Sequence, residues 1–177
     1  KTNNTITTLA VGSRPYVVER SPDNLKVYVS NYGDNTVSVI DVATNTVEAT
    51  ISGFNRPWGI AFNSDGSRAY ICNRYGNSVS VVNTATNSII GNAITVGDRP
   101  LGIVVSPDDS NVYVANYETD YLTVINTFDN STSTITVASF PTTLALSADG
   151  EKVYVNNQSG SVSVIDISTN AVDELVE

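Results

Sequence analysis

Histidine is absent from the sequence, and cysteine occurs once among the 177 residues. Without an imidazole, the chain cannot form a Ser-His-Asp triad or use histidine as a general base, and it lacks the commonest zinc ligand. Because Cys72 stands alone, an intrachain disulfide, a CxxC redox pair and a thiolate metal cage are excluded as well. The sequence therefore points to no catalytic residue, no metal site and no cofactor.

Basic residues are also scarce in this chain. Nine Lys and Arg stand against eighteen Asp and Glu, which gives a formal net charge of −9 and a pI near 4.3. This balance argues against a nucleic-acid partner, because phosphate backbones are bound by clustered Lys and Arg. No apolar run approaches the ~18 residues of a membrane-spanning helix, so no membrane span is expected.

Charged residues make up only 15% of the chain, whereas hydroxyl and amide side chains are abundant. This composition is more typical of an extracellular or cell-surface protein than of a cytosolic one, and a periplasmic location also fits it. Methionine is absent and the first residue is Lys1, so we expect a processed or excised segment. Asn-x-Ser/Thr triplets occur at Asn3, Asn130 and Asn157, but chance alone produces several in so Asn-rich a chain.

The sequence repeats itself four times. A Tyr-Val/Ile-x-Asn tetrapeptide recurs at spacings of 42, 43 and 41 residues, beginning at Tyr28, Tyr70, Tyr113 and Tyr154. A proline marker keeps the same spacings, at Pro15, Pro57, Pro100 and Pro141. The run NTVSVID from Asn35 returns as NSVSVVN from Asn77, YLTVINT from Tyr121 and GSVSVID from Gly160. Three markers with one period indicate a true internal repeat.

Each repeat contains short runs rich in Val, Ile, Thr and Tyr, bounded by Gly, Asn, Asp and Pro, and no stretch keeps the spacing of an amphipathic helix. Four such runs per ~42 residues predict a four-stranded propeller blade. We therefore expect an all-β fold, a β-propeller of four four-stranded blades that forms one domain over 1–177. The predicted repeats are 13–54, 55–97, 98–138 and 139–177, with 1–12 as a spare outer strand.

The tetrapeptides, the SPD, SDG or ADG turns before them and the SVSVID-like runs after them resemble the YVTN β-propeller repeat. The resemblance covers nearly the whole chain. It implies a relationship to archaeal surface-layer proteins and to secreted or periplasmic bacterial propellers, which more often have seven blades. Because this chain supplies four, it either closes as a four-bladed ring, belongs to a larger propeller or assembles with another molecule.

The two ends of the chain bear on that choice. The stretch TITTLAV from Thr5 has the composition of an outer strand. Four blades need four outer strands, so this stretch would be a fifth. Its β-branched residues favour pairing at the outer edge of the last blade over the acidic AVDELVE from Ala171. We therefore predict that the amino-terminal strand closes its own ring or captures a neighbouring chain.

In a propeller, the loops that enter the first strand of each blade lie on the same face as the loops that join its second and third strands. That face is predicted to gather candidate ligand-binding residues: Arg14, Arg56, Arg74, Arg99, Tyr32, Trp58, Tyr75 and Tyr117. Arg side chains flanked by aromatic rings suit carboxylates, sulfates or sugar acids. The simpler alternative is that each Arg stacks on a neighbouring Tyr and packs the rim. The fourth repeat departs from the pattern, with Phe140 and Gln158 instead.

The opposite face carries acidic turns that could suggest calcium, at Asp23, Asp65, Asp108 and Asp149. They lack the EF-hand ligand series, so we expect each Asp to cap its own turn. Asp41 and Asp166 are replaced by Asn83 and Asn126 in the middle repeats, which favours local hydrogen bonding over catalysis. Cys72 is expected to be a small structural thiol.

The leading hypothesis for function is a non-catalytic module of the cell surface or of a secreted assembly. Such a module is a structural or protein-interaction scaffold, which binds a partner or its own copies through its loop faces or strand edges. The first alternative is a module that binds a glycan or a small anion at the Arg/Tyr rim. The second is a propeller hydrolase or lactonase, against which the lack of His and of a distinctive acid pair argues.

Overall fold

The computed structural model describes residues 8–176, which form sixteen strands in four antiparallel sheets. Each sheet has four strands, joined in chain order as a meander. The all-β fold of four four-stranded blades predicted from the repeats is confirmed. Within this range no helix is long and apolar enough to cross a membrane.

The first sheet consists of β1 (Pro15–Arg20), β2 (Lys26–Asn31), β3 (Thr36–Asp41) and β4 (Thr46–Ser52). The second consists of β5 (Pro57–Phe62), β6 (Arg68–Asn73), β7 (Ser78–Asn83) and β8 (Ser88–Thr95). The third consists of β9 (Pro100–Val105), β10 (Asn111–Asn116), β11 (Tyr121–Asn126) and β12 (Thr132–Thr136). The fourth consists of β13 (Pro141–Leu146), β14 (Lys152–Asn157), β15 (Ser161–Asp166) and β16 (Ala171–Val176).

Tight turns fold each meander locally. The turn between the third and fourth strands of every sheet contains an asparagine with a positive φ: Asn45, Asn87, Asn130 and Asn170. Asparagine tolerates this left-handed backbone because its short polar side chain can hydrogen-bond nearby. In the first sheet, the Asp41 carboxylate accepts a 2.8 Å hydrogen bond from the Thr44 N–H and closes the same turn. The repeated Asn turns therefore reverse the chain between the third and fourth strands of every sheet.

Hydrophobic side chains fill the spaces between successive sheets. Each of the three interfaces contains the tyrosine of the repeated tetrapeptide from the earlier sheet. Tyr28, Tyr70 and Tyr113 are 1%, 3% and 0% exposed. Tyr28 meets Phe62 of the second sheet edge to face, with ring centroids 5.0 Å apart. Sheets covered on both faces explain why the strands carry apolar residues on both sides.

The stack of four sheets is not closed into a ring. The inner strands β1, β5, β9 and β13 pack against one another in that order, and within residues 8–176 the fourth sheet does not return to the first. Tyr154, the counterpart of the three buried tyrosines, is therefore 41% exposed. Of the arrangements considered from the sequence, the closed four-bladed ring is not formed.

The ends of the chain also differ from the prediction. The acidic segment Ala171–Val176 is not left loose, because it forms β16 and pairs with β15 at the outer edge of the fourth sheet. The local hairpin forms despite the acidic composition of this segment. Asp166 caps the connecting turn by accepting a 2.8 Å hydrogen bond from the Ser168 N–H. The expected spare strand over 5–11 lies partly outside the described residues, and its described part, 8–11, is not in a strand.

Candidate functional site

The predicted rim lies at the edge where each inner strand begins. The residue before each inner-strand proline has a positive φ between 48° and 60°, namely Arg14, Arg56, Arg99 and Phe140. The Arg14 carbonyl accepts a 3.1 Å hydrogen bond from the Tyr32 N–H, and the Arg56 carbonyl accepts one of equal length from the Arg74 N–H. These bonds join the two rim loops of each sheet and bring their side chains to one edge.

Four aromatic rings form a continuous cluster across the first two sheets. Tyr16 stacks on Trp58, with ring centroids 4.2 Å apart and planes inclined by 24°. Tyr32 meets both rings edge-on, at centroid distances of 5.3 and 5.9 Å. Tyr75 extends the cluster along the second sheet, with its centroid 6.0 Å from that of Tyr32. Aromatic pairs of this kind contribute ~0.5–1.5 kcal/mol beyond the area they bury, so the cluster stabilises this interface.

Arg56 ties the second sheet to the first. Its guanidinium carbon lies 5.1 Å from the centroid of the Tyr32 ring. Its Nη1 donates to the backbone carbonyls of Tyr32 and Gly33 at 3.1 and 3.2 Å. Its backbone N–H donates to Oδ1 of Asn35 at 2.9 Å. Arg56 is thus joined to the first sheet by hydrogen bonds from its guanidinium group and its backbone N–H, and by the contact of its guanidinium group with the Tyr32 ring.

Arg74 and Arg99 also lie against aromatic rings. Arg74 is 4.7 Å from the Trp58 ring and 5.8 Å from the Tyr75 ring, and its Nε is buried with no hydrogen-bond partner among the described residues. Arg99 lies 5.6 Å from the Tyr75 ring and forms a 2.5 Å ion pair with Glu118. Both partners of that pair are more than a third exposed, so it adds ~0–1 kcal/mol.

The electrostatic environment of the rim is positive at Tyr75. A side-chain hydrogen bond with Tyr32 lowers the pKa of the Tyr75 hydroxyl, and the charges of Arg99, Arg74 and Arg56 lower it further. An anion that approached this hydroxyl would meet the same three cations. The rim therefore has the charge expected of an anion site, although its guanidinium groups already have partners.

Six of the eight predicted rim residues come together in this cluster, and two do not. Tyr117 lies by the fourth sheet, where its hydroxyl donates to Oε1 of Gln158 at 2.8 Å and its ring centroid is 5.7 Å from that of Phe140. Arg14 makes no ion pair or ring contact with the described residues. Sequence reasoning missed Tyr16, although it follows Pro15 as Trp58 follows Pro57.

A cleft of about 270 Å³ lies between the inner strands of all four sheets, next to Trp58. Among the described residues, Glu19 on β1 is the one ionisable residue that lines it. Strand register places apolar residues at the same position of the other sheets, at Ala61, Val104 and Ala145. Burial raises the pKa of the Glu19 carboxyl above its usual 4.5. A partly buried acid at this position was not found from the sequence.

The acidic turns on the opposite edge cap themselves, as predicted. Asp108 accepts hydrogen bonds from the Ser106 hydroxyl at 2.6 Å and from the Ser110 N–H at 3.0 Å. These bonds, led by the Ser106 hydroxyl, lower the pKa of the Asp108 carboxyl. A groove of about 670 Å³ runs between the turns of the third and fourth sheets here. Within residues 8–176, no three acidic or thiol groups are arranged to hold a metal ion.

Two other side chains marked in the sequence are buried. Cys72 is 0% exposed, and burial raises the pKa of its thiol, as expected of a structural cysteine. Asn157 is 1% exposed, and its amide donates to the Ser163 hydroxyl at 2.9 Å, so it is not a glycosylation acceptor in the folded chain. Asn130 lies in an exposed turn, and Asn3 is outside the described residues.

A protein-family match covers more than half of the chain. The family described as "Lactonase, 7-bladed beta-propeller" matches residues 42–136, from the end of β3 to the end of β12. The match therefore includes the second and third sheets completely and most of the rim cluster. No curated protein sequence matches the chain significantly.

Solved structures match nearly the whole chain. Hydrazine synthase of Kuenenia stuttgartiensis superposes with a TM-score of 0.86 at 29% identity, over 98% of this chain and 52% of that one. A functionally unknown protein from Desulfotomaculum acetoxidans DSM 771 superposes with a TM-score of 0.83 at 20% identity, over 97% and 58%. The β-propeller domain of Cps50 (Swd1) from Myceliophteria thermophila gives 0.81 at 14%, over 97% and 57%. The chain thus spans about half the length of these proteins.

Proposed function

This chain belongs to the lactonase family of seven-bladed β-propellers, and within that family we propose that it acts as a non-catalytic structural and protein-interaction module. Its blades form a rigid scaffold that binds partners through sheet faces and loop edges. The structural similarity to hydrazine synthase supports the propeller fold of this scaffold. A fold of this kind hosts many unrelated functions, so the site residues decide the proposal.

The observation that carries the proposal is the bonding of the rim cations. Arg56 donates to two carbonyls of the preceding sheet and lies over Tyr32. Arg74 lies over Trp58, and Arg99 is paired with Glu118. Arg56 thereby joins the second sheet to the first, whereas the Arg74–Trp58 and Arg99–Glu118 contacts each lie within one sheet. A ligand that needed these guanidinium groups would first have to displace those partners.

The setting that we propose is extracellular or at the cell surface, with the periplasm as a related location. The low charge content of 15% supports it, as does the similarity of the repeats to the YVTN type found in surface-layer and secreted propellers. In such a setting the partner of a scaffold is another protein. A glycan at the rim is the outcome that would replace this proposal.

Arg56→Ala tests the scaffold role, with Arg14→Ala as the matched control. If Arg56 mainly joins the two sheets, its loss lowers the melting temperature by about 2–4 °C for each kcal/mol lost. Arg14→Ala, which removes a cation that makes no ring or ion-pair contact within residues 8–176, leaves the melting temperature unchanged. Titration calorimetry with sulfated and acidic oligosaccharides should give no binding heat. Saturable binding that Arg56→Ala abolishes without a change in melting temperature would establish the glycan alternative instead.

Lactone hydrolysis is the second candidate, and the position of Glu19 in the inner cleft favours it. The Glu19 carboxylate, whose pKa burial raises above its usual 4.5, can act as the general base. It would take a proton from the water that attacks the lactone carbonyl. The ring C–O bond then breaks, and the same proton passes to the leaving alkoxide oxygen. Turnover of a lactone panel that Glu19→Gln abolishes, and that exposed Glu151→Gln preserves, would favour this enzyme over the scaffold.

A further inference from the structure

In two of the three interfaces between sheets, a buried tyrosine donates to an asparagine in a turn of the next sheet. The Tyr28 hydroxyl donates to Oδ1 of Asn87 at 3.1 Å, and the Tyr113 hydroxyl donates to Oδ1 of Asn170 at 2.6 Å. Both asparagines lie in the turn before the fourth strand of their sheet and have a positive φ, of 50° and 52°. In these interfaces the side chain of the turn asparagine therefore joins two sheets.

The interface between the second and third sheets lacks this bond. Asn130 occupies the equivalent turn of the third sheet and also has a positive φ, of 60°. Burial raises the pKa of the hydroxyl of Tyr70, the equivalent tyrosine, and a side-chain hydrogen bond with Arg68 opposes that rise. Within residues 8–176, the exposed side chain of Asn130 makes no hydrogen bond. Its amide is therefore not used to hold the two sheets together.

The sequence of this turn departs from the other three repeats at two positions. Asn130 begins the triplet Asn130-Ser131-Thr132, which is an acceptor signal for N-linked glycans. In the other repeats the position of Thr132 is aliphatic, and it holds Val47, Ile89 and Val172. Phe128 stands two residues before Asn130. In the other repeats that position is small, and it holds Ala43, Ala85 and Ser168. The acceptor triplet and the aromatic ring thus occur together, in the one covered interface where the asparagine is not bonded to a tyrosine.

Phe128 contributes nothing to the core. It is 97% exposed, which makes it the most exposed of the large hydrophobic side chains that the structure describes. Its N–H donates to Oδ1 of Asn126 at 2.9 Å, and the Asn130 N–H donates to the carbonyl of Asn126 at 2.9 Å. These bonds fix the backbone of the turn. An aromatic ring is therefore held in solvent close to the acceptor amide.

Two clefts meet at Asn130, between the outer parts of the second and third sheets. Asn130 and Phe128 line a cleft of about 200 Å³ together with Ile90 of β8. A second cleft of about 450 Å³ lies between Asn130 and Thr132 on one side and Asn92 of β8 on the other. A sugar attached to Asn130 thus has room on both sides, with the apolar groups of Phe128 and Ile90 in one cleft and the amide of Asn92 between the two.

We propose that Asn130 carries an N-linked glycan whose first sugar packs on the ring of Phe128. The inference rests on the extracellular or cell-surface setting proposed above. One face of a pyranose ring consists of C–H groups, and packing this face on an aromatic ring removes apolar surface from water. The turn lies at the edge opposite the rim, so a bulky and hydrated modification there leaves the rim cluster uncovered.

The modification is a group transfer from a lipid-phosphate-linked glycan, made by a membrane-bound oligosaccharyltransferase. The Nδ2 atom of Asn130 forms a bond to the anomeric carbon of the first sugar. The bond between that carbon and the phosphate oxygen breaks, and the lipid phosphate leaves with the electron pair. The amide loses one proton to a base of the transferase. This chain supplies the acceptor amide and, in Phe128, a surface that favours the attached sugar.

Secretion of the full chain from yeast, followed by peptide mass spectrometry, tests the acceptor. More than half of the molecules should carry a glycan on Asn130, which peptide-N-glycosidase removes with conversion of the asparagine into aspartate. Thr132→Val should abolish the modification. This variant restores the aliphatic residue of the other repeats at an exposed position of β12, so it should keep its fold. Asn157, which is 1% exposed, is the internal control and should stay unmodified.

Phe128→Ala tests the role of the ring, since it keeps the triplet and copies Ala43 and Ala85. Occupancy of Asn130 should fall at least twofold. Glycosylated wild type should melt about 2 °C or more above the same chain made without glycan in bacteria. That gain should disappear in Phe128→Ala. Without the glycan, Phe128→Ala should melt with the wild type, because the ring is 97% exposed and packs on nothing.

An unmodified Asn130 in the secreted chain overturns the inference. Equal occupancy and an equal melting gain in Phe128→Ala overturn the role given to the ring. Protein isolated from its source should carry the glycan as well, and an unmodified Asn130 in protein found outside the cytosol overturns the inference. Protein found in the cytosol would overturn the proposed setting and this inference with it. None of these results changes the Arg56→Ala melting test, so failure here is distinguishable from failure of the scaffold role.

Discussion

The hydroxyl of Tyr113 donates a 2.6 Å hydrogen bond to Oδ1 of Asn170, and this bond joins the third sheet to a turn of the fourth. Tyr113 is 0% exposed, and burial raises the pKa of its hydroxyl to about 12, so the group stays protonated and remains a donor at neutral pH. Tyr28 and Asn87 make the same bond between the first and second sheets. The most regular feature of the sequence is therefore a contact between blades.

Tyr113→Phe should lower the free energy of unfolding by ~1 kcal/mol, since it removes one buried hydrogen bond and little volume. Urea denaturation followed by circular dichroism measures the loss. Tyr121→Phe is the control, because the Tyr121 hydroxyl has no hydrogen-bond partner in the part of the chain that the structure describes. Equal losses in the two variants would show that the Tyr113–Asn170 bond contributes nothing specific.

Glu19→Gln should stabilise the protein at neutral pH. The pKa of Glu19 is raised by burial, so the folded state binds its proton more tightly than the unfolded state does. The charged form therefore weakens folding above the raised pKa, and this penalty disappears as the pH falls through it toward the usual 4.5. The melting temperature of Glu19→Gln should exceed that of the wild type at pH 7, and the difference should shrink on acidification.

Glu151→Gln serves as the control for that pH series, since Glu151 is exposed. Its melting temperature should follow the wild type at every pH. A gain for Glu19→Gln that does not change between neutral and acidic pH would mean that the effect is not due to ionisation of Glu19.

The strands and turns of this fold were predictable because their signals are local. Asn87 supplies a left-handed turn, and Val79 and Val81 alternate with polar neighbours along a strand, whatever the rest of the chain does. The arrangement of the sheets was not predictable in the same way. Tyr154 has the same sequence context as Tyr113, yet one is exposed and the other buried, because burial depends on whether another blade follows.

The candidate site could be predicted only in part, again because the signals in the sequence are local. The positions of Arg56 and Tyr32 in loops of one face follow from blade topology, so their proximity could be expected. Whether Arg56 is free or bonded depends on carbonyls of another sheet, which no local pattern encodes. Glu19 stands out only after the strands are aligned by register with Ala61 and Val104.

Cys72 should react only when the protein unfolds. Its side chain is 0% exposed, and burial raises the pKa of the thiol, so neither access nor thiolate is available in the folded state. Ellman's reagent should label no thiol under native conditions and one thiol per chain in denaturant, at a midpoint that coincides with the circular dichroism transition. Rapid native labelling would place Cys72 at an accessible position and contradict this packing.

Gly59→Ala should destabilise the protein more than other glycine substitutions. An added Cβ at Gly59 would overlap the carbonyl oxygen of Leu101 in the third sheet and lie 3.0 Å from Cγ2 of Ile103. Backbone cannot move aside as a flexible side chain can, so the inner strands must separate, at a cost of ~2–3 kcal/mol or more. Gly91→Ala is the control, because its Cβ meets nothing within 4 Å and its φ of 62° costs only ~1 kcal/mol of backbone strain. Urea midpoints of the two variants give the comparison. If Gly59→Ala costs no more than Gly91→Ala, then β5 and β9 do not approach each other as closely as this packing requires.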